Sequence, residues 1–436
     1  MPDSFLVVAQ SARLLVQSAA RAGHPVCALD LFDDADTGRM ALTSRAVRAH
    51  GGDLPRFDRN DLLQSAAELC PPSHCRGLVY GSGFECDADT LAFLARGRAL
   101  LGNTPQLLSR LNDPLDFFGL LDRLSIPHPP TVLARPAAPS GWLYKRRGAC
   151  GGAHIVDAAA IDAGPQRGAP AAATATRGGA AAPGEGYFQK RVPGESLSIL
   201  FLGDGQRAKI VGVARQLVTG TGRRPYAYAG AVGPVGVPER VRRALIDALQ
   251  ALVAHTGLVG CNSFDFVLDG EQTWALEINP RPSATIDLYD EDWPRGLFDA
   301  HVQACRGRMP EPDAVRGAAS IRAHAIVYAG SPLQVALQVE NAGSNIGANA
   351  SFPAWCSDLP RPGTRVAAGA PVCTVHASAP NEALALRQLA RRKRQVERML
   401  RIGWEREGIE DERNDLAAER EPQRSAPGRV AAATAR

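Results

Sequence analysis

The stretch that decides the fold runs Ser263-Phe264-Asp265-Phe266-Val267-Leu268, turns through Asp269-Gly270-Glu271-Gln272, and returns as Thr273-Trp274-Ala275-Leu276-Glu277-Ile278-Asn279-Pro280-Arg281-Pro282. Two apolar-rich runs around a glycine turn predict a β-hairpin. With Gly270, Glu271 and Gln272 as a three-residue loop, the expected register sets Asp265 opposite Glu277. Asn279 lies two residues further on, hence on the same face as Glu277. Two carboxylates and an amide oxygen make an all-oxygen set suited to Mg²⁺ or Mn²⁺, with phosphate oxygens completing the shell. Arg281 follows at once, a fixed fork for an anionic group. Either strand alone would read as a surface hairpin with an acidic face.

Two upstream features add to the metal reading. Trp142 to Lys145 reads as a strand running into the turn Arg146-Arg147-Gly148-Ala149-Cys150-Gly151-Gly152. A lysine at a strand end, followed by glycines, can set an ammonium and backbone N–H groups on phosphates. The segment Gln189-Lys190-Arg191-Val192, with Pro193-Gly194-Glu195 after it, offers backbone hydrogen bonds to a nucleobase edge. Lysine is scarce: Lys145, Lys190, Lys209 and Lys393 are the only four beside 45 arginines, and three of them fall in this region. A lysine kept in so arginine-rich a chain points to a need for a compact ammonium.

Working outward, residues 5–9 and 26–32 read as strands separated by a helix at 11–21. A strand at 77–80, a helix from Asp87 and a strand at 99–101 follow. Strands alternating with helices predict a parallel α/β sheet. Its first turn, Gln10-Ser11-Ala12-Arg13, lacks the G-x-G-x-x-G of dinucleotide sites, so this layer is expected to support a neighbouring site. Residues 103–125 read as helical. Of the 30 residues at 157–186, 21 are Ala, Gly or Pro, a composition that buries little and suits a loop or lid. Strands are expected at 196–202, 208–214, 263–268 and 273–278, with a helix at 239–255. Beyond about Ala318 the chain turns to short β elements, then a charged helix after Asn381 and an Ala/Arg tail.

The chain has 436 residues, room for about three domains. Its net charge of +4 is matched by residues 387–436 alone, which hold 13 basic and 9 acidic residues, so the body is neutral. Nothing there suggests a nucleic-acid-binding body, and the glutamates interleaved in the tail read as a solvated helix. No unbroken apolar run approaches the ~18 residues of a membrane helix. The nine cysteines include no C-x-x-C pair, and the N-terminus is not of signal-peptide type; reduced thiols and a cytoplasmic location are expected.

The order of these parts resembles the ATP-grasp superfamily: lysine with glycines, a hinge with Pro-Gly-Glu, an aspartate strand, then Glu277-Ile278-Asn279-Pro280-Arg281. The resemblance spans about residues 102 to 310 and is most specific at the Glu-x-Asn-Pro-Arg element. It implies an α/β fold of the α+β ATP-grasp type. A Rossmann-like pre-ATP-grasp domain (1–101) would precede a two-lobed ATP-grasp domain (102–312) carrying the 157–186 insert. A small C-terminal β domain with a helix (313–400) and a charged, disordered tail (401–436) would follow.

By the same resemblance, Lys145, Gly151 and Gly152 would meet the phosphates of ATP. Gln189, Lys190 and Val192 would line the adenine pocket, and Glu195 would face the ribose or its surroundings. Asp265, Glu277 and Asn279 would hold Mg²⁺, and Arg281 would steady the reacting anion. Lys209 and Gln216 would point at nucleotide or substrate. Family members carry a further lysine where this chain has Asn112-Asp113-Pro114, with Arg110 nearby as a substitute. The whole layout is most similar to carboligases related to biotin carboxylase, though without a biotinyl-carrier motif. Some relatives of that group belong to one-carbon cofactor biosynthesis.

The implied activity is a ligase: a small-molecule carboxylate is activated as an acyl phosphate and coupled to an amine, with ATP giving ADP and phosphate. No membrane or nucleic-acid partner is expected, and pairing into a homodimer is compatible with the layout. The alternative is a nucleotide-binding regulatory or scaffold protein without turnover, motivated by Pro114.

Overall fold

The computed structural model describes residues 3–50, 56–161, 186–219, 224–310, 320–337 and 351–418, with side chains of the last helix as far as Arg401. Most of the Ala/Gly/Pro-rich insert, 162–185, and the end of the tail, 419–436, lie outside the described residues.

The N-terminal layer is a four-stranded parallel sheet in the order Thr43–Ala46, Val26–Asp30, Ser4–Val8, Cys75–Tyr80. Ser4–Val8 and Val26–Asp30 are buried along their whole length, as parallel strands covered on both faces must be. The helical stretch expected at 103–125 is two helices, Pro105–Asn112 and Pro114–Arg123. Pro114 cannot donate into the first helix, so it opens the second one, and Asp113 caps it by accepting from the backbone N–H groups of Leu115 and Asp116.

A small antiparallel sheet follows, in the order Thr131–Val132, Gly186–Lys190, Trp142–Arg146, Ile155–Asp157. The main sheet has eight strands, with Gln272–Asn279 at one edge and then Val259–Asp269, Glu195–Asp204, Ala208–Val218 and Tyr228–Gly233. The C-terminal region continues it: Ile321–Tyr328 pairs with Tyr228–Gly233, and Pro371–Ala379 and Cys356–Ser357 follow outward. Its two long strands, read from the sequence as part of a separate β domain, are therefore hydrogen-bonded into the same sheet. The C-terminal helix spans Glu382–Ala418, so helix replaces the disordered tail expected from residue 401 as far as Ala418. Among the described residues no helix is long and apolar enough to cross a membrane.

Helix Glu239–Thr256 covers one face of the main sheet through Val241, Leu245, Leu249, Leu252 and Val253. This i, i+4 spacing gives one apolar stripe, and Gly257 ends the helix in the left-handed conformation. The other face packs on helix Gly296–Cys305 and through it on helix Arg13–Arg21.

Asn103 joins these layers. Its Oδ1 accepts from the Val259 N–H (2.9 Å), and its Nδ2 donates to Asn262 Oδ1 (2.7 Å) and the Pro280 carbonyl (2.9 Å). It is 2% exposed, so truncation strands buried polar groups that water cannot reach. Asn103→Ala is expected to cost about 3 kcal/mol, read as a lower urea midpoint at unchanged slope.

Candidate functional site

The expected cross-strand pair is present: Asp265 faces Glu277, Phe264 faces Ile278 and Ser263 faces Asn279. The route to it differs from the sequence reading. Asp269 pairs with Gln272, so the loop is the two-residue Gly270-Glu271, with Gly270 at positive φ (+60°) in the first central position. Leu276 is then an extra residue on the return strand, a β-bulge that restores the register at Glu277.

Asp265 is held from the neighbouring strands. Ser198, directly opposite on Glu195–Asp204, donates its hydroxyl (2.6 Å), and Gln216 donates Nε2 (3.0 Å). Ser196 fixes that amide by donating to Gln216 Oε1 (2.7 Å). Gln216 thus bonds to the aspartate, where the sequence reading had it pointing at nucleotide or substrate. Lys209, seven residues along the same strand with one of them in a bulge, or roughly 20 Å by the strand rise, donates to the Pro310 carbonyl (2.9 Å) and lies over the Trp293 ring. It does not join the site.

Burial, then the facing Glu277 carboxylate, push the Asp265 carboxyl up to about 7. Lys145, 3% exposed on Trp142–Arg146, is drawn to the same pair. Burial lowers its pKa while the carboxylates of Glu277 and Asp265 oppose that shift. The small sheet therefore delivers the ammonium to the carboxylates of the main sheet. Because the folded-state pKa of Asp265 lies above the ordinary value of about 4, the ligand-free protein loses stability as pH rises between about 4 and 7. Asp265→Asn is expected to remove on the order of 2–4 kcal/mol of that slope, seen as a smaller fall in Tm between pH 5 and pH 8.

Arg281, 8% exposed, donates Nε to Glu85 Oε1 (2.6 Å), Nη2 to Asn279 Oδ1 (3.2 Å) and Nη1 to the Pro282 carbonyl (3.3 Å). Asn279 Nδ2 in turn reaches Glu277 Oε1 at 3.5 Å. Glu85 was missed in the sequence. It follows the strand Cys75–Tyr80, at the carboxyl edge of the parallel sheet where ligand sites gather, and that position was the available signal. His154, half-buried just after the glycine-rich turn, was missed as well. Its Nδ1 has no hydrogen-bond partner among the described residues, and burial lowers its pKa while Glu277 opposes the shift.

Gly151 and Gly152 both sit at positive φ (+71° and +70°). The Gly151 carbonyl accepts from Tyr228 N–H (2.8 Å), and a Cβ at Gly152 would stand 2.1 Å from the Tyr226 oxygen. A Cβ at Gly148 would collide with Cys86 of the N-terminal layer (2.2 Å). Only glycine lets this turn close down on the main sheet and the first layer together. Gln189 is buried and donates to Thr131 Oγ1 (3.1 Å). Lys190 is exposed, its N–H bonded to the Pro130 carbonyl, and Val192 is half-buried. Glu195 is exposed and paired with Arg215 (3.0 Å).

The donor set fits a hard divalent cation. Buried Asp265 faces half-buried Glu277, Asn279 adds an amide oxygen, and the lysine beside them suits phosphate oxygens. Among the described residues no cluster of three His, Cys, Asp or Glu side chains could hold a metal alone.

Residues 112–285, which carry the lysine-bearing strand, the glycine-rich turn and the paired-carboxylate hairpin, match the family model of the ATP-grasp domain. The fold as a whole is that of biotin carboxylase and its kin. The biotin carboxylase domain of a single-chain bacterial carboxylase shares 18% identity over 89% of this chain and 88% of its own, with a TM-score of 0.61. N5-carboxyaminoimidazole ribonucleotide synthetase from Thermus thermophilus shares 16% over 91% and 98%, at 0.59. The biotin carboxylase domain dimer of 2-oxoglutarate carboxylase from Hydrogenobacter thermophilus, solved with MgADP, ADP and bicarbonate, shares 11% over 88% of both chains, at 0.64. No curated protein sequence matches the chain.

Proposed function

We propose that the protein is an ATP- and Mg²⁺-dependent ligase that activates a small-molecule carboxylate as an acyl phosphate and couples it to an amine. The convergence of Asp265, Glu277 and Lys145 beside Arg281, within an ATP-grasp domain, carries this reading. Asp265, Glu277 and Asn279 are the residues that would hold magnesium, which when bound neutralises charge on the β- and γ-phosphates. Lys145 and the amides of Gly151 and Gly152 orient the triphosphate, while Gln189, Lys190 and Val192 line the base and Glu195 stands near the sugar. The substrate carboxylate displaces ADP at the γ-phosphorus, giving an acyl phosphate. Arg281, held in place by Glu85, steadies its charge until an amine expels phosphate. No nucleophile from the protein is needed. The glycine-rich turn, packed on both flanking layers, keeps water from the acyl phosphate.

To test this, the protein is given ATP, Mg²⁺ and a panel of carboxylates, with hydroxylamine as the trapping amine. Carboxylate-dependent ADP and a hydroxamate are expected; neither appearing across a broad panel would overturn ligation. Pro114 favours a second reading, a nucleotide-binding scaffold, because the residue that opens a helix there cannot supply the family's lysine. Tight ATP binding in a calorimetric titration, without ADP release, would select it. The nine free thiols support a cytoplasmic location. The dimeric Hydrogenobacter carboxylase domain supports a homodimer, and a place in one-carbon cofactor biosynthesis rests on the sequence resemblance alone.

A further inference from the structure

A cavity of about 230 Å³ opens beside Arg281, between the first strand-helix turns of the N-terminal layer and the C-terminal strands that extend the main sheet. At roughly 30 Å³ per water, it holds the equivalent of about eight waters, space for a small molecule. Leu14, Phe32, Ile326 and Val372 give it apolar walls. Its two cations are already engaged. Arg13 donates to Asp287 (2.8 and 2.7 Å), Asp358 (3.1 and 3.2 Å) and Gln17, and Arg281 to Glu85, Asn279 and Pro282. An anionic ligand would have to break those pairs.

The unmet groups are of the other kind. Asp34 lines the cavity at 4% exposure, and its Oδ2 has no hydrogen-bond partner among the described residues. Burial, reinforced by the carboxylates of Asp358, Asp30 and Asp36, pushes its carboxyl up to about 9, so this wall is short of positive charge. On the C-terminal side His324, 2% exposed, also lines the cavity. Its Nε2 is 2.7 Å from the Tyr228 hydroxyl, and its Nδ1 has no partner among the described residues. In the tautomer whose Nε2–H donates to Tyr228, Nδ1 is a second acceptor.

We propose that this cavity binds the amine partner of the reaction, taken in as a primary ammonium by Asp34, with His324 as a further acceptor in the C-terminal wall and the ligand's carbon body along the apolar walls. Its role as partner rests on the ligase reading; the ligand chemistry rests on the cavity itself. Once the ammonium has passed a proton to the Asp34 carboxylate, the free amine would lie on the Arg281 side of the cavity, toward the acyl phosphate whose carbonyl carbon it attacks as phosphate leaves.

The test uses the full chain without nucleotide and three probes of one length, hexylammonium, 1-hexanol and hexanoate, titrated by ligand-observed NMR. The ammonium is expected to bind at least tenfold tighter than either other probe. Asp34→Asn is expected to reduce its advantage over hexanol to less than twofold. That variant removes a partnerless buried acid, so its Tm at pH 8 should not fall below that of the parent. Hexanoate binding as tightly as the ammonium, no measurable ammonium binding, or an undiminished preference in a folded Asp34→Asn would each overturn the proposal. Selectivity in the parent chain decides the matter even if the variant does not fold. ADP release is assayed separately: ammonium selectivity without turnover sinks ligation alone, and turnover without selectivity sinks this inference alone.

Discussion

Glu277→Ala is expected to lower carboxylate-dependent ADP release by about a thousandfold. A divalent cation on the β- and γ-phosphates supplies several kcal/mol of charge stabilisation, and each 1.36 kcal/mol is tenfold in rate. Glu277 is the centre of the donor set, facing Asp265 across the hairpin and reached by Asn279 from the same strand. On the proposed reading the parent binds ADP more tightly with Mg²⁺ than without, and the variant is expected to lose that gain. The stability of the ligand-free variant should move the other way, because Asp265 loses the like charge that raises its pKa. A variant that binds MgADP like the parent and turns over within tenfold of it would remove Glu277 from the metal set.

The largest loss of stability is expected at Arg13→Met. Arg13, 3% exposed at the start of the first helix, bonds both oxygens of Asp287 and of Asp358, tying the N-terminal layer to the turn after the Glu-x-Asn-Pro-Arg element and to the C-terminal region. Removing one partner of such a buried cluster typically costs 3–5 kcal/mol, because the remaining charges stay buried without compensation. The Arg13 guanidinium overcomes burial to hold Asp287 well below the usual carboxylate range, and it lowers Asp358 as well. In the parent this contribution is therefore present above pH ~4 and lost as pH falls below it. In the variant the two acids have burial without a cation, so instability should grow as pH rises. Denaturant titrations at pH 4 and pH 8 check both signs; a midpoint shift under 1 kcal/mol at pH 8 would show that the cluster is not needed to join the layers.

Much of the site's main chain was legible because it depends on local pattern. Alternation, a glycine turn and one acidic residue on each strand were enough to pair Asp265 with Glu277, although the loop is shorter than read and Leu276 makes up the difference. A bulge leaves no signature in residue types that pack equally well on either face. The break at Pro114 was visible in the residue itself but was read as a missing ligand, not as a helix start. What stayed hidden are contacts across long sequence separations. Glu85 meets Arg281 from 196 residues away, and Asn103 meets Pro280 from 177. Gln216 and Lys209 looked alike as polar residues after the Pro-Gly-Glu hinge, and only position along the one strand they share separates the one that touches Asp265 from the one bonded to the Pro310 carbonyl.

The bonding of Ile321–Tyr328 to Tyr228–Gly233 has a bearing on how this protein can be divided. A fragment stopped at residue 312 would bare a row of unsatisfied amides and carbonyls along Tyr228–Gly233, a template onto which a second molecule can stack. The C-terminal strands thus close an edge that the preceding residues would otherwise leave open to a second molecule.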